Sequence, residues 1–165
     1  MNLRETILEE HSKKQCNKIV QWVGSSQDRF NELYKLFLDD VTLVTQRASW
    51  PVSECVIAHP NFIRNHFKSL LKNLEKKNLH DAIKRHSIRL LQFVPIPEKY
   101  HGLVMEKCFD YVSSPTEAVG IKAFSLTVLG NLAKKYPEIK MLIEDQLPYQ
   151  TAAFRSRAKN LLKST

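Results

Sequence analysis

Apolar residues recur at three- and four-residue steps along almost the whole chain. One stripe runs Phe62, Ile63, Phe67, Leu70, Leu71, Leu74, and another Phe30, Leu33, Tyr34, Phe37, Leu38. Leu103, Val104, Cys108, Phe109 and Val112 repeat the pattern, as do Leu126, Leu129, Leu132 and Ala133. That spacing puts each set on one face of a helix. No window alternates at period two, so no strand is expected. The breaks are short. Ser12 with Gln15 reads as a capping box, and Gly24-Ser25-Ser26 as a helix stop and a new cap. Pro60, Pro97, Pro115 and Pro137 mark further boundaries, because the residue before a proline leaves the helical region. Asn78 to Asp81 reads as a loop with Asp81 as the cap. The pattern predicts helical pairs over 2–11 with 12–24, 27–38 with 40–58, 61–77 with 79–94, 97–113 with 115–136, and 137–147 with 151–164.

Three of the second helices repeat one another. TQRASWPVSECVIAHP, IKRHSIRLLQFVPIP and IKAFSLTVLGNLAKKYP carry Ser49, Ser87 and Ser125 about 38 residues apart, at the low edge of helical-repeat periods. Each then runs to a proline, Pro60, Pro97 or Pro137. A single hairpin cannot bury its apolar face alone, so copies stack. The expectation is an all-α stack of about five hairpins forming one domain over 1–165.

Composition agrees with this reading. Only four glycines occur in 165 residues, which favours helix over a turn-rich β fold. Cys16, Cys55 and Cys108 are far apart, without CxxC spacing, and read as buried reduced thiols. The charged N-terminus does not resemble a signal peptide, and no apolar run approaches a bilayer span. A cytoplasmic protein without membrane contact is expected. The formal charge of +8 attracts phosphates and acidic proteins.

The segment from Asp81 through Leu91 resembles a HEAT-like repeat, with an Arg or Lys and a small residue in the second helix. Glu117 to Leu126 and Thr45 to Trp50 are the next best copies. Gln15 to Lys18 and Phe154 to Ala158 look like degenerate end copies. The resemblance implies an α-α superhelix, a HEAT/armadillo-like solenoid. Proteins of that kind are mostly scaffolds and binding surfaces. A minority bind DNA, and one branch comprises alkylpurine glycosylases.

In such stacks the second helices line the concave face. Here they carry Arg47, Lys84, Arg85, Arg89, Lys122, Arg155, Arg157 and Lys159. These form either a positive groove for an acidic partner or phosphate backbone, or a structural ladder bonded to acids and helix ends. Arg47 and Arg85 hold equivalent repeat positions, as a ladder requires. Arg64, Lys68, Lys72 and Lys76 recur every four residues and would stand in one basic column on an outer helix. Like charges so placed repel by a few tenths of a kcal/mol each. The column reads as a solvated face or as a contact for an acidic surface.

Trp50 precedes Pro51, whose missing N–H should loosen or kink the turn. Glu54 follows one turn later and Arg89 one repeat later. By resemblance to the HEAT-like glycosylases, which hold the damaged nucleotide with a tryptophan, an acid and an arginine, these three echo a nucleotide site. The acid is Glu rather than Asp, and no second tryptophan stands in a later repeat. The alternative is a core tryptophan filling space beside Pro51. The six histidines show no ligand spacing, so no metal or cofactor is expected, and no phosphate loop or nucleophile elbow occurs. The primary expectation is a non-enzymatic scaffold binding an acidic protein or peptide. A nucleic-acid-binding module is the second. A third has Tyr34, Phe62 and Phe154 exposed and buried against another copy.

Overall fold

The computed structural model describes residues 1–164. Ten α-helices and three short 3-10 turns form, with no strand among the described residues. The helices are α1 (Leu3–Glu9), α2 (Lys13–Val23), α3 (Gln27–Leu38), α4 (Thr42–Ala58), α5 (Phe67–Asn73), α6 (Asp81–Leu91), α7 (His101–Ser113), α8 (Val119–Leu132), α9 (Glu138–Gln146) and α10 (Ala152–Lys163). The chain divides into two compact units, Met1–Pro95 and Ile96–Thr165.

In the first unit, α4 is the centre and packs against α1, α2, α3 and α6. Its core holds Phe30, Leu33, Phe37, Val44, Val56 and Leu70, all essentially without solvent exposure. Burying each such side chain contributes roughly 1.5–3 kcal/mol. Side-chain caps set the helix starts. Asn2 accepts from the Glu5 N–H, Ser12 from Gln15, and Ser26 from Arg29. Each such cap is worth roughly 0.5–2 kcal/mol. The capping box is only half made, because the Gln15 amide turns to the Thr6 carbonyl and Glu9 instead. Gly24 ends α2 at φ 54°, a left-handed value that glycine adopts without a Cβ clash.

Three expectations are corrected here. The helix over 61–77 is interrupted. Pro60–Ile63 is a 3-10 turn, and only Phe67–Asn73 is α-helical. Side chains of α3 take up the carbonyls near the break. The Gln27 amide donates to Phe62 O at 3.2 Å, and the Tyr34 hydroxyl lies 3.2 Å from His66 O. Tyr34, Phe62 and Phe154 are buried rather than exposed. Phe62 stacks on Phe30 with centroids 4.9 Å apart, and Tyr34 packs against Phe30, Phe37 and His66. The cap of α6 is His80, whose Nδ1 accepts from the Ala82 N–H, while Asp81 is the first helical residue.

In the second unit, α8 packs against α7, α9 and α10. Val104, Cys108, Ile121, Leu126, Leu129 and Ile143 fill its core. Thr151 caps α10 through the Phe154 N–H at 3.2 Å. The repeated serines Ser49, Ser87 and Ser125 are all fully buried. A small side chain at that position lets neighbouring helices close up without a void. All three cysteines are buried, and burial pushes each thiol up to about 12.

Candidate functional site

Trp50, Glu54 and Arg89 come together in the first unit. One turn of α4 separates Trp50 from Glu54, so both point off the same face. Arg89 reaches them from the last turn of α6, which packs against α4. The indole N–H donates to Glu54 Oε1 at 3.1 Å, and the Arg89 guanidinium donates to the same oxygen at 2.9 Å. The pair is half-buried, with side-chain exposures of 26% for Arg89 and 34% for Glu54. Water screens such a pair only in part, so it holds position more firmly than a surface bridge.

Three further residues complete the cluster, and sequence reasoning missed all of them. Ser53 donates to the Trp50 carbonyl at 2.9 Å and accepts from Arg89 at 3.0 Å. His86 Nδ1 lies 3.2 Å from Ser53 Oγ. The His86 ring lies nearly parallel to Trp50, with centroids 6.3 Å apart and 13° between planes. His11 approaches the same indole edge-on at 6.1 Å. Burial pushes the His86 imidazole down to about 3, and Arg85, Arg89 and His11 add to the effect. It is therefore neutral at ordinary pH. The available signal was the spacing of His86 and Arg89, three apart on one helix face.

Helix α4 continues through Pro51 to Ala58, so the turn that Pro51 was expected to loosen or kink stays within the helix. The space beside Trp50 and Pro51 is only about 10 Å³, about the size of one water. In this arrangement the tryptophan's polar edge is committed to Glu54.

The remaining basic residues divide by what they touch. Arg47 donates to the Leu8 carbonyl at 2.8 Å, near the C-terminal end of α1, as a ladder residue would. Arg85 is exposed, although it holds the equivalent repeat position. Lys84 lies 3.4 Å from Asp81 within α6. In the second unit, Lys122 donates to Gln150 Oε1 at 3.2 Å, Arg155 to the Gln150 carbonyl at 2.7 Å, and Arg157 to Thr127 Oγ1 at 2.6 Å. The break in the helix over 61–77 also dissolves the single basic column. Lys68 and Lys72 share α5, Arg64 lies before it, and Lys76 lies beyond it, donating to the Leu38 carbonyl at 2.9 Å.

A second feature lies wholly within the second unit. Between α8 and α10 a cavity of about 870 Å³ opens to solvent. Sequence reasoning named Lys122 and Arg157 on its walls but not the cavity itself. Ala123, Phe154 and Leu161 give it an apolar floor, and its charged lining residues are Lys122, Arg157 and the single carboxylate Glu117.

With both sites in view, the comparison with known families is specific. The HEAT repeat domain matches residues 3–165, and the chain belongs to this family of helical-repeat proteins. No curated protein and no solved structure matches the chain. No helix of the described residues is long and apolar enough to cross a membrane.

Proposed function

We propose that this HEAT repeat protein is a non-enzymatic scaffold that binds an acidic protein or peptide. The observation that carries this reading is the chemistry of the acceptors. Lys122, Arg155 and Arg157 all donate to neutral oxygens rather than to carboxylates. A neutral acceptor satisfies a donor's geometry but leaves the positive charge uncompensated. Arg64, Lys68, Lys72 and Arg85 are exposed besides. Each unit thus carries basic surface groups of its own that suit acidic partners.

The test is fluorescence anisotropy with a labelled acidic peptide and a labelled DNA duplex, each titrated at about 50 and about 200 mM salt. The proposal expects the peptide to bind and to weaken moderately over that interval. Duplex binding that falls steeply with salt, with no peptide binding, replaces it with phosphate recognition.

A second reading is supported by the Trp50, Glu54 and Arg89 geometry. The resemblance to alkylpurine glycosylases named these three, and they share one carboxylate oxygen. On that reading the chain binds nucleic acid. Release of an alkylated base that disappears in Glu54→Gln is the outcome that selects it. Absence of release together with absence of duplex binding removes it.

A further inference from the structure

The α8/α10 cavity has a register that can be read from its own bonds. Lys122 meets Gln150, Thr127 meets Arg157, and a Cβ placed on Gly130 would lie 3.6 Å from Leu161. Both residue numbers rise together along these pairs, so α8 and α10 run in the same direction. Five residues separate Lys122 from Thr127 on α8, which places the Lys122 and Arg157 contacts roughly 7–8 Å apart along the axis. The close approach of Gly130 to Leu161 marks one end. Val119, 73% exposed, lines the other.

Three features converge there. The floor is apolar. Two cations stand along the walls with contacts roughly 7–8 Å apart, which the roughly 6 Å rise of an i, i+4 pair and the reach of its side chains together cover. Both are held by neutral oxygens, from Gln150 and Thr127, that a carboxylate would outcompete, since a charge-assisted bond is roughly twice as strong as a neutral one. A phosphate backbone matches the cations but has nothing to place on Ala123, Phe154 and Leu161. A purely aliphatic ligand matches the floor and leaves the cations idle. A protein segment with both kinds of group matches all three.

We propose that the α8/α10 groove is the docking site for an acidic amphipathic segment of a partner protein. Its two carboxylates, one turn apart, meet Lys122 and Arg157, and an apolar side chain beside them seats on Phe154 and Leu161. This rests on the acidic-partner reading above and gives it a location. The volume is within the range that takes a drug-sized ligand, so it accommodates a few side chains rather than a whole domain. The mode is that of a helix laid in a groove, with the apolar face inward.

The probe is a fluorescein-labelled peptide with two glutamates one helical turn apart and leucines on the same face. Its controls replace the glutamates with glutamines or the leucines with serines. Both controls should bind more weakly than the probe. Lys122→Gln with Arg157→Gln should weaken probe binding about tenfold, and more at low salt than at high salt. Ser156→Trp, at an exposed position on the wall, should block the groove and leave the thermal midpoint unchanged. If the probe binds wild type and these variants equally, the groove assignment is overturned while the acidic-partner reading stands on other residues. If neither the probe nor polyglutamate binds at any salt, both fall. A monomer–dimer equilibrium that the Lys122 and Arg157 variants abolish, with no probe binding, makes the occupant a second copy and overturns the proposal.

Discussion

The Trp50 cluster and the α8/α10 groove use similar residues to opposite ends. In the first unit, Glu54, Ser53 and Trp50 absorb what Arg89 and their own donors offer, and the space beside them is about 10 Å³. In the second unit, two cations rest on neutral acceptors beside about 870 Å³ of open space. A residue's type says little about availability. What matters is whether its strongest partner is already in place. The cluster is built like a fastener between α4 and α6, and the groove like a receptor.

The largest effect that separates the two is the response to acid. Free histidine titrates near 6.5, and His86 is pushed down to about 3 in the folded chain. Below pH 6.5 the unfolded chain takes up a proton that the folded chain refuses. Stability therefore falls as pH drops from about 6.5 towards 3, and that loss levels off once His86 itself protonates. A shift of this size corresponds to a loss on the order of 3–5 kcal/mol. Urea midpoints measured between pH 7 and pH 4 should show the decline, and His86→Phe should flatten it. An unchanged slope in that variant assigns acid sensitivity elsewhere.

Next in size is the ion pair itself. Arg89→Leu leaves Glu54 half-buried with the indole as its remaining charge-stabilising donor from the cluster. It should cost roughly 1–3 kcal/mol, less than a fully buried pair because water reaches both groups. Chemical denaturation would measure it. The fastener reading fails if the cost is negligible.

Two serines sharpen the contrast at about 1 kcal/mol. Ser53→Ala removes a hydroxyl that serves Trp50 and Arg89, and should destabilise by roughly 1–2 kcal/mol. Ser87 Oγ is fully buried without a hydrogen-bond partner among the described residues. Ser87→Ala should therefore be neutral or stabilising by up to about 1 kcal/mol. Smallest of all, Lys122→Gln and Arg157→Gln should shift stability by no more than about 0.5 kcal/mol. They touch binding instead, which is how a receptor differs from a fastener.

The helical pairs were legible because burial imposes a period that the sequence must display. The interruption at Arg64 to His66 was not, since Gln27 and Tyr34 on another helix take up carbonyls there. The burial of Tyr34, Phe62 and Phe154 was hidden for the same reason, as their covering surfaces come from distant residues. Trp50, Glu54 and Arg89 could be proposed from spacing and resemblance. Ser53 could not, because a buried serine has no signature of its own, and His86 offered only its three-residue spacing from Arg89. The groove was invisible because it is defined by what does not fill it.

The three thiols have a practical consequence. Each is buried and titrates near 12, so almost none is thiolate at neutral pH, and the thiolate is the reactive form. The native chain is already quiet towards maleimides and iodoacetamides. A cysteine introduced at Ala152, exposed at the start of α10 and outside the groove lining, should take such a label alone, with no native cysteine removed. A dye there would report each arrival in the groove on an otherwise unaltered protein.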